Sequence, residues 1–246
     1  MDGTVTRINS DLIIKEPSGG IRFGTDALLL AGFALPSVKK GVCVDLGTGC
    51  GVIPLLMLSA GSKALFTGLE ITPEYALAAE ENAAVNGFSD RFKVIRADVC
   101  DFSAFPAGSA DFAVMNPPYM RINSGKDNEN PLLSVARREV SGGAGSFCKA
   151  ASRYLKSGGK LFAVYRPDRI ANLICAMRAN RIEPKRLRLV VPYAGKKPSL
   201  LLAEGIKDAS EGVTFDKDLF IYADAEHTRY SDETENIYRL FSADNG

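Results

Sequence analysis

The fold is decided by the ten residues VCVDLGTGCG at positions 42–51. An apolar, strand-like run leads there into a turn that contains Gly47, Gly49 and Gly51. Such a turn needs positive φ angles and lets a ligand lie against bare backbone. Asp45 stands just before the turn, where its carboxylate can accept a hydrogen bond from a cationic amine. The G-x-G-x-x-G spacing of NAD-binding domains is absent, so the turn predicts a nucleotide-like cofactor other than NAD.

Strand-like and helix-like segments alternate from this turn onward. Predicted strands lie at 42–46, 64–70, 91–97, 111–115 and 160–165, and predicted helices at 51–60, 73–86, 145–155 and 169–180. This alternation is typical of a mostly parallel sheet with helices on both faces. Two further strands, 185–191 and 199–207, are joined only by 192–198, which is too short for a parallel crossover. The sequence therefore predicts an α/β fold whose parallel sheet ends in a C-terminal antiparallel hairpin.

The organisation along the chain predicts one domain with additions at both ends. We expect residues 1–36 to form a hairpin and a helix, capped by Thr25 or Asp26, that pack on the core. The core is expected over 37–207, with 208–246 as a C-terminal extension of the same domain.

Composition predicts a globular protein of the cytoplasm. The chain has 246 residues, of which 46% are hydrophobic, and this allows one large core. No run approaches the roughly 20 apolar residues of a membrane span, and the start, MDGT, lacks the regions of a signal peptide. The five cysteines contain no C-x-x-C pair and the single histidine, His227, has no partner. We therefore expect neither a disulfide framework nor a metal site.

Two more acids follow the next two strands of the alternation. Glu70 ends the second strand, where an acid accepts hydrogen bonds from ribose hydroxyls, and Ile71 follows it. Asp98 ends the third strand, where it can accept from an exocyclic adenine amine with Val99 against the ring. The alternative is that these acids cap the helices or turns that follow them.

A second motif follows the strand 111–115. The residues Asn116, Pro117, Pro118 and Tyr119 place an amide, two prolines and an aromatic ring where ligands of open α/β sheets bind. The Asn116 oxygen and the Pro117 carbonyl can accept the two hydrogens of a planar amine, and the prolines stiffen that carbonyl. Tyr119 offers a face on which a flat substrate stacks. The motif thus predicts chemistry at the nitrogen of an amine or amide.

These motifs, in this order, resemble class I S-adenosylmethionine-dependent methyltransferases from about residue 20 to residue 207. The resemblance implies that Asp45 and the glycines line the methionine end of the cofactor, that Glu70 holds its ribose, and that Asp98 holds its adenine. The Asn-Pro-Pro-Tyr motif resembles that of adenine-N6 methyltransferases of DNA and RNA, and also that of glutamine-N5 methyltransferases. It therefore fixes the nitrogen chemistry and leaves the substrate open.

The segment 20–30, GIRFGTDALLL, resembles the entry segment of a bacterial group that methylates N6 of the adenosine 3′ to the anticodon in a valine tRNA. The residues at 136–139 and 229–230 also resemble that group. The resemblance implies that Arg22, Phe23 and Asp26 line the methionine end of the cofactor or the substrate mouth. It makes Arg137 and Arg138 candidate phosphate contacts, with solvated charges at a helix start as the alternative.

Charge is unevenly distributed although the net charge is only +1. Residues 166–197 contain nine Lys or Arg against two acids, and residues 208–246 contain ten acids against three Lys or Arg. We interpret the first stretch, which we call the basic stretch, as a nucleic-acid surface whose best phosphate contacts are Lys196 and Lys197. The alternative is a solvated surface whose charges pair with the acidic tail.

The leading hypothesis is an RNA adenine-N6 methyltransferase that acts on tRNA near the anticodon. A glutamine-N5 methyltransferase of release factors or ribosomal proteins stays open, although those enzymes carry a helical N-terminal domain. A guanine-N2 RNA methyltransferase, whose related motif commonly ends in Phe, also stays open, as do a small-molecule methyltransferase and a cofactor-binding module without catalysis. Oligomeric state is not predicted.

Overall fold

The computed structural model describes residues 3–9, 12–18, 23–117 and 143–242. In those ranges the strands are β1 (Gly3–Arg7), β2 (Ile13–Pro17), β3 (Val42–Leu46), β4 (Leu65–Glu70), β5 (Phe92–Arg96), β6 (Ala110–Met115), β7 (Leu155–Tyr165), β8 (Ile182–Val191), β9 (Leu200–Lys207), β10 (Thr214–Phe215) and β11 (Leu219–Phe220). The helices there are α1 (Thr25–Ala34), α2 (Val52–Ser59), α3 (Pro73–Val85), α4 (Gly143–Tyr154), α5 (Ile170–Ala179) and α6 (Asp232–Leu240).

One large sheet organises the molecule. Its strand order is β10-β8-β9-β7-β6-β3-β4-β5, and β11 also pairs with β8. The strands β5, β4, β3, β6 and β7 are parallel, whereas β9 is antiparallel to both β7 and β8. The carboxyl ends of β3 to β8 therefore meet at one edge, which we call the carboxyl edge. The predicted fold class, a mostly parallel sheet with an antiparallel C-terminal hairpin, is confirmed.

The helices cover both faces of this sheet. Alternate strand residues point to opposite faces, so Cys43 joins the core under α1, α2 and α3, while Val44 joins the core under α4 and α5. Helix α3 begins at Pro73, where the missing N–H costs nothing, and ends before Gly87, whose φ of 72° is left-handed. The sheet thereby becomes a rigid layer that fixes the positions of the strand ends.

The N-terminal hairpin of β1 and β2 is held by two asparagine amides on α3. Asn82 accepts from the Lys15 N–H (2.9 Å) and donates to the Lys15 and Cys50 carbonyls (both 3.0 Å). Asn86 accepts from the Ile13 N–H (2.9 Å) and donates to the Ile13 carbonyl (2.7 Å). Asn82 is buried. Its amide therefore ties the hairpin to the glycine turn, which contains Cys50.

Two local predictions need correction. The strand predicted at 160–165 begins earlier, at Leu155 directly after α4, and Gly158 and Gly159 lie at an irregularity within it. A Cβ on Gly159 would lie 2.9 Å from the Lys156 carbonyl oxygen, so the chain can bend this tightly only with glycine. Gly24 occupies the cap position of helix α1, so neither Thr25 nor Asp26 is its N-cap residue, although Asp26 Oδ1 accepts from the Ala27 N–H in the first turn.

The basic stretch largely pairs with the acidic residues that follow it. Arg178 contacts Glu211 (2.7 Å), Arg181 contacts Asp208 (2.8 Å), Arg186 contacts Asp216 (3.4 Å) and Arg188 contacts Glu233 (2.7 Å). For these four arginines the alternative of internal pairing is the one observed. Lys196 and Lys197 make no ion pair with a described carboxylate and lie exposed at the tip of the β8–β9 hairpin.

Replacing Asn82 by alanine should destabilise the protein by about 2–4 kcal/mol, because it leaves the Lys15 N–H and the Lys15 and Cys50 carbonyls without their partner. Urea unfolding measures the change. The matched control is Asn172→Ala, on the exposed side of α5, which should change stability by less than about 0.5 kcal/mol. Equal losses in the two variants would contradict the role of the amide.

Candidate active site

The glycine turn after β3 adopts a conformation that other residues rarely reach. The φ angles of Gly47, Gly49 and Gly51 are 72°, 55° and 79°. A Cβ on Gly51 would lie 2.5 Å from the Phe92 ring, whereas a Cβ on Gly49 would meet no atom within 4 Å. Gly51 is therefore required for packing, and Gly49 leaves open space at the carboxyl edge.

Asp45 is a buried carboxylate with one oxygen unsatisfied. Its side chain is only 1% exposed, and the Thr48 hydroxyl donates to its Oδ2 at 2.6 Å. Its Oδ1 has no hydrogen-bond partner within the described chain. Burial raises the pKa of Asp45 to about 7, against the Thr48 hydrogen bond, which lowers it. A buried acceptor in this state calls for a donor from outside the protein, and a cationic amine is the most favourable one.

Thr48 and Gly68 support Asp45 and were missed by the sequence analysis. A Cβ on Gly68 would lie 2.6–2.8 Å from the Thr48 side chain, so only glycine in β4 lets Thr48 reach the carboxylate. The threonine could have been noticed within the turn itself. The glycine carried no local signal, because the contact forms only when β3 and β4 pair.

Glu70 is fixed at the end of β4 by backbone donors. Its two oxygens accept from the Gly49 and Thr72 N–H groups, each at 2.8 Å. Burial raises the pKa of Glu70, and the hydrogen bonds from Thr72 and Gly49 oppose that shift. This carboxylate therefore clamps the glycine turn as well as standing at the edge, while the next residue, Ile71, is half-buried.

Asp98 follows β5 and is exposed. Its Oδ1 accepts from the Cys100 N–H at 2.8 Å, as expected of a turn-stabilising acid, and Val99 beside it is half-buried. The sheet order puts β5, β4 and β3 side by side. The three acids therefore stand on neighbouring strands of the carboxyl edge, as the alternation predicts.

Asn116 follows β6 and contacts the beginning of α1. Its Nδ2 donates to Asp26 Oδ2 at 3.1 Å, across 90 residues of sequence, and Asp26 Oδ1 accepts from the Ala27 N–H at 3.0 Å. A carboxylate only accepts hydrogen bonds, so the amide nitrogen faces Asp26 and the amide oxygen faces the other way. Pro117 is buried directly behind this amide. The contact makes Asp26 a neighbour of the Asn116 motif.

The remaining candidates are spread more widely. The Phe23 N–H donates to Glu16 Oε1 at 2.8 Å, and Glu16 is itself buried, which the sequence did not indicate. Lys196 and Lys197 do not contact the Asn116 group, although their hairpin tip follows β8 at the carboxyl edge. The candidates Arg22, Pro118, Tyr119, Arg137 and Arg138 lie outside the described residues.

Two other expectations concern metals and membranes. Among the described residues no group of three or more His, Cys, Asp or Glu is arranged to hold a metal ion. The helices in the described ranges include none long and apolar enough to cross a membrane. The five cysteines are free thiols, and Cys43, Cys50 and Cys148 are buried.

The residues at this edge fit S-adenosylmethionine. The unsatisfied Asp45 oxygen suits the cofactor's ammonium group, the open space over Gly49 suits a ligand against the backbone, and the acids at the ends of β4 and β5 suit its nucleoside. A doubly wound sheet with an antiparallel strand between its last two parallel ones, together with this set of groups, defines a class I methyltransferase.

Comparison with known proteins agrees. The methyltransferase small domain family matches residues 18–174, and the chain belongs to that family. A Porphyromonas gingivalis protein named tRNA1(Val) (adenine(37)-N6)-methyltransferase is 30% identical over 197 residues, which cover 78% of this chain and 76% of that protein. The chain is thus an S-adenosylmethionine-dependent methyltransferase, and the predicted enzyme class and cofactor are confirmed.

Solved structures share the fold. A predicted O-methyltransferase from Agrobacterium tumefaciens superposes with a TM-score of 0.72 at 24% identity, over 89% of this chain and 97% of that one. Geranyl diphosphate C-methyltransferase from Streptomyces coelicolor A3(2), in complex with S-adenosyl-L-homocysteine, gives a TM-score of 0.55 at 14% identity, over 73% and 80% of the two chains. At these identities the likeness concerns the fold alone.

Cofactor affinity should depend on pH through Asp45. Because burial raises its pKa to about 7 in the ligand-free protein, the cationic amine must bind a carboxylate that is protonated below that pH. The dissociation constant of S-adenosylmethionine should be lowest at about pH 7.5, between the titration of the carboxyl and that of the amine, and rise about tenfold per pH unit below pH 7. Calorimetry between pH 5.5 and 8.5 measures this.

The raised pKa of Asp45 affects the stability of the ligand-free protein in the opposite direction: stability falls, rather than rises, with pH. The unfolded chain loses the Asp45 proton near the ordinary value of 3.8, so the ligand-free protein should lose stability as the pH rises from about 4 to about 7. Asp45→Asn should remove both pH dependences and weaken cofactor binding. Cofactor affinity that is unchanged from pH 5.5 to 8.5 would show that Asp45 does not hold the amine.

Proposed function

We propose that this enzyme transfers the methyl group of S-adenosylmethionine to N6 of an adenine in RNA, and that this RNA is tRNA, modified near the anticodon. One observation carries the proposal: the Asn116 amide nitrogen donates to Asp26, so the amide oxygen points away from Asp26. That orientation supports use of the amide oxygen as an acceptor for the exocyclic amine of a flat base. The names of the curated relatives support the choice of tRNA over other substrates.

On this proposal the ends of β5, β4 and β3 would hold the cofactor. Asp45 Oδ1 would accept from its ammonium group, Glu70 from its ribose hydroxyls, and Asp98 from its adenine amine. Ile71 and Val99 would contact the adenine ring. When bound, the cofactor supplies an electrophilic methyl group on a sulfonium sulfur.

The chain's own residues align and activate the target nitrogen. An adenine amine is a poor nucleophile because its lone pair is delocalised into the ring. Acceptance of its two hydrogens by the Asn116 oxygen and the Pro117 carbonyl favours a pyramidal nitrogen, which frees the lone pair for in-line attack on the methyl carbon. With the cofactor bound, the nitrogen would gain the methyl group as the C–S bond breaks, with the thioether as leaving group, and the methylated nitrogen would then lose a proton to water. No base is needed before transfer, so alignment supplies most of the rate gain.

Asp26 acts on this proposal as a positioning residue. An amide that is free to turn would present its NH₂ group to the target half of the time, and a donor facing a donor repels. Asp26 removes that alternative through its bond to Asn116 Nδ2. The proposal assigns Arg22 and Phe23 to the methionine end of the cofactor or to the substrate mouth, Pro118 and Tyr119 to binding of the base, and Arg137, Arg138, Lys196 and Lys197 to contacts with phosphates.

The decisive experiment is transfer of labelled methyl from S-adenosylmethionine to total tRNA from a strain that lacks this gene. The product is digested to nucleosides and identified by mass spectrometry. N6-methyladenosine in that tRNA, and its absence when tRNA from the parent strain is used, would support the proposal. No label in tRNA by an enzyme that binds the cofactor would contradict it.

A glutamine-N5 methyltransferase is the second candidate. The acceptor pair of Asn116 and Pro117 would grip the side-chain amide of a glutamine in the same manner, because both targets are planar NH₂ groups. The same labelled cofactor is therefore offered to release factors and ribosomal proteins. Label in glutamine, with none in tRNA, would establish this candidate in place of the first.

Asn116→Ala should lower the turnover number by at least about 100-fold, because the target amine loses its acceptor. Cofactor affinity should change less than about twofold, since Asp45 and Glu70 remain. Activity assays and calorimetry give the two quantities, with Asn172→Ala as the control that leaves both unchanged. A loss of cofactor affinity in Asn116→Ala would assign Asn116 to the cofactor instead.

Lys196→Glu combined with Lys197→Glu should weaken RNA binding and flatten its salt dependence. Each lost phosphate contact lowers the slope of log affinity against log salt by about 0.7–0.9. The matched control is Lys39→Glu with Lys40→Glu, an exposed pair that precedes β3 at the opposite edge of the sheet. The same slope in all three proteins would exclude the hairpin tip as a phosphate contact.

A further inference from the structure

Five aromatic rings form a continuous row at the carboxyl edge, beyond Asn116. In spatial order they are Tyr193, His227, Tyr222, Tyr230 and Tyr238, and we call them the aromatic strip. The centroid distances between neighbours are 5.5, 4.1, 5.3 and 5.0 Å in that order, and the His227 and Tyr222 rings are stacked at 9°. The sequence analysis gave His227 no role.

Two rings of the strip are exposed, the other three are half-buried, and the loop that carries the exposed pair is held by hydrogen bonds. His227 is exposed and Tyr230 is 39% exposed. The loop between them is fixed by Asp224, which accepts from the Thr228 N–H at 2.9 Å and from its hydroxyl at 2.5 Å. His227 has a φ of 59°, which is unusual for a residue other than glycine. Residues held in sparsely populated backbone regions cluster at active sites and ligand clamps.

The inner end of the strip reaches the proposed catalytic group. Tyr238 makes a side-chain hydrogen bond to Thr25, the residue next to Asp26, which holds Asn116. Its ring belongs to α6, which packs against α1 so closely that a Cβ on Gly32 would lie 2.9 Å from Ile237. The strip is therefore continuous with the site described above.

The outer end of the strip is basic. Lys196 Nζ lies 5.7 Å from the centroid of the Tyr193 ring. Lys196 and Lys197 form no ion pair with any described carboxylate. The hydrogen bonds from Thr228 lower the pKa of the Asp224 carboxyl, and the charge of Arg229 acts on the same group and helps to lower that pKa. Of the acids near the strip, Asp224 accepts from Thr228 and Glu233 pairs with Arg188, while Glu226 and Asp232 are exposed. Aromatic faces next to unpaired cations are the combination that binds single-stranded nucleic acid.

The strand order places this surface on the substrate side. The cofactor groups stand on β5, β4 and β3, Asn116 follows β6, and the strip begins after β8. Three strand spacings separate β6 from β8, about 14 Å, which a few nucleotides of single strand cover.

Resting on the proposed function, we propose that the aromatic strip is the docking surface for the unpaired RNA nucleotides next to the target adenine. A base that is drawn into the Asn116 site leaves its neighbours without a stacking partner, and the rings of the strip replace that partner. Lys196, Lys197 and Arg229 contact the phosphates of the same nucleotides. The surface thus recognises a loop and rejects a duplex.

The test measures RNA binding apart from methyl transfer. The probes are a fluorescently labelled anticodon stem-loop and the same strand annealed to its complement, with binding followed by anisotropy. The variants are Tyr193→Leu at the hairpin tip and Tyr230→Leu in the loop. Because the two residues lie on separate segments, a folding defect in one variant does not imply one in the other. The control is Phe215→Leu, an aromatic residue that is 67% exposed on β10 and away from the carboxyl edge.

Each strip variant should bind the stem-loop about tenfold more weakly, the loss expected for one stacked base. Binding of the duplex should not change, and Phe215→Leu should match the unaltered enzyme on both probes. In methylation assays the strip variants should show a raised KM with a smaller change in kcat, the reverse of Asn116→Ala. The chain has eight Tyr and no Trp, so quenching of tyrosine emission by the stem-loop gives a second readout that the strip variants should reduce.

The outcomes separate this inference from the proposed function. If the stem-loop is bound and methylated and the strip variants bind it normally, the inference is wrong and the proposed function stands. If the variants weaken binding of stem-loop and duplex equally, the strip does not recognise unpaired nucleotides and the inference is also wrong. If the unaltered enzyme neither binds nor methylates RNA, both are overturned.

Discussion

The structure of the carboxyl edge around the glycine turn depends on one buried group, the carboxylate of Asp45. Burying a carboxylate with an unsatisfied oxygen costs free energy that the ligand-free fold does not recover. The surrounding residues nevertheless maintain this arrangement. Thr48 donates to one oxygen of Asp45, and a side chain at position 68 larger than that of glycine would clash with Thr48 in this position. The site is thus preorganised for a cation, and the proposed role of Asp45 would link cofactor binding and protein stability through the same group.

The sequence predicted those features that are encoded locally. Apolar strands, the three-glycine turn and the acids at the strand ends lie within a few residues of one another, so spacing alone located them. The spacing of residues in the sequence could not predict contacts between distant segments. The Asn116–Asp26 bond joins residues 90 positions apart, and the Glu70–Gly49 bond joins two different strand ends. Such contacts exist only once the strands are ordered, and periodicity predicts the strands without predicting their neighbours.

The charge count of the basic stretch overstated the number of unpaired cations for a related reason. The basic stretch looked like a nucleic-acid surface because its partners are in the next segment of the chain, where β10, β11 and α6 fold back beside β8. Exposed ion pairs of this kind contribute about 0–1 kcal/mol each, so they contribute little to stability. Their larger effect is that the paired arginines are no longer free to bind a polyanion such as RNA. Lys196 and Lys197 at the hairpin tip are not paired in this way.

These ion pairs hold the C-terminal segment, residues 208–246, beside β8, which is the substrate side of the molecule on the proposed function. On the proposed function, the ends of β5, β4 and β3 would hold the adenine, ribose and methionine groups of the cofactor. The acceptor of the methyl group would then approach from the other direction, across β6 toward β8. There the acidic segment neutralises the arginines, contributes four of the five rings of the aromatic strip, and through Tyr238 contacts the helix that carries Asp26. A substrate that binds those rings would therefore touch the same packing unit that orients Asn116, so binding and alignment of the target would be physically coupled.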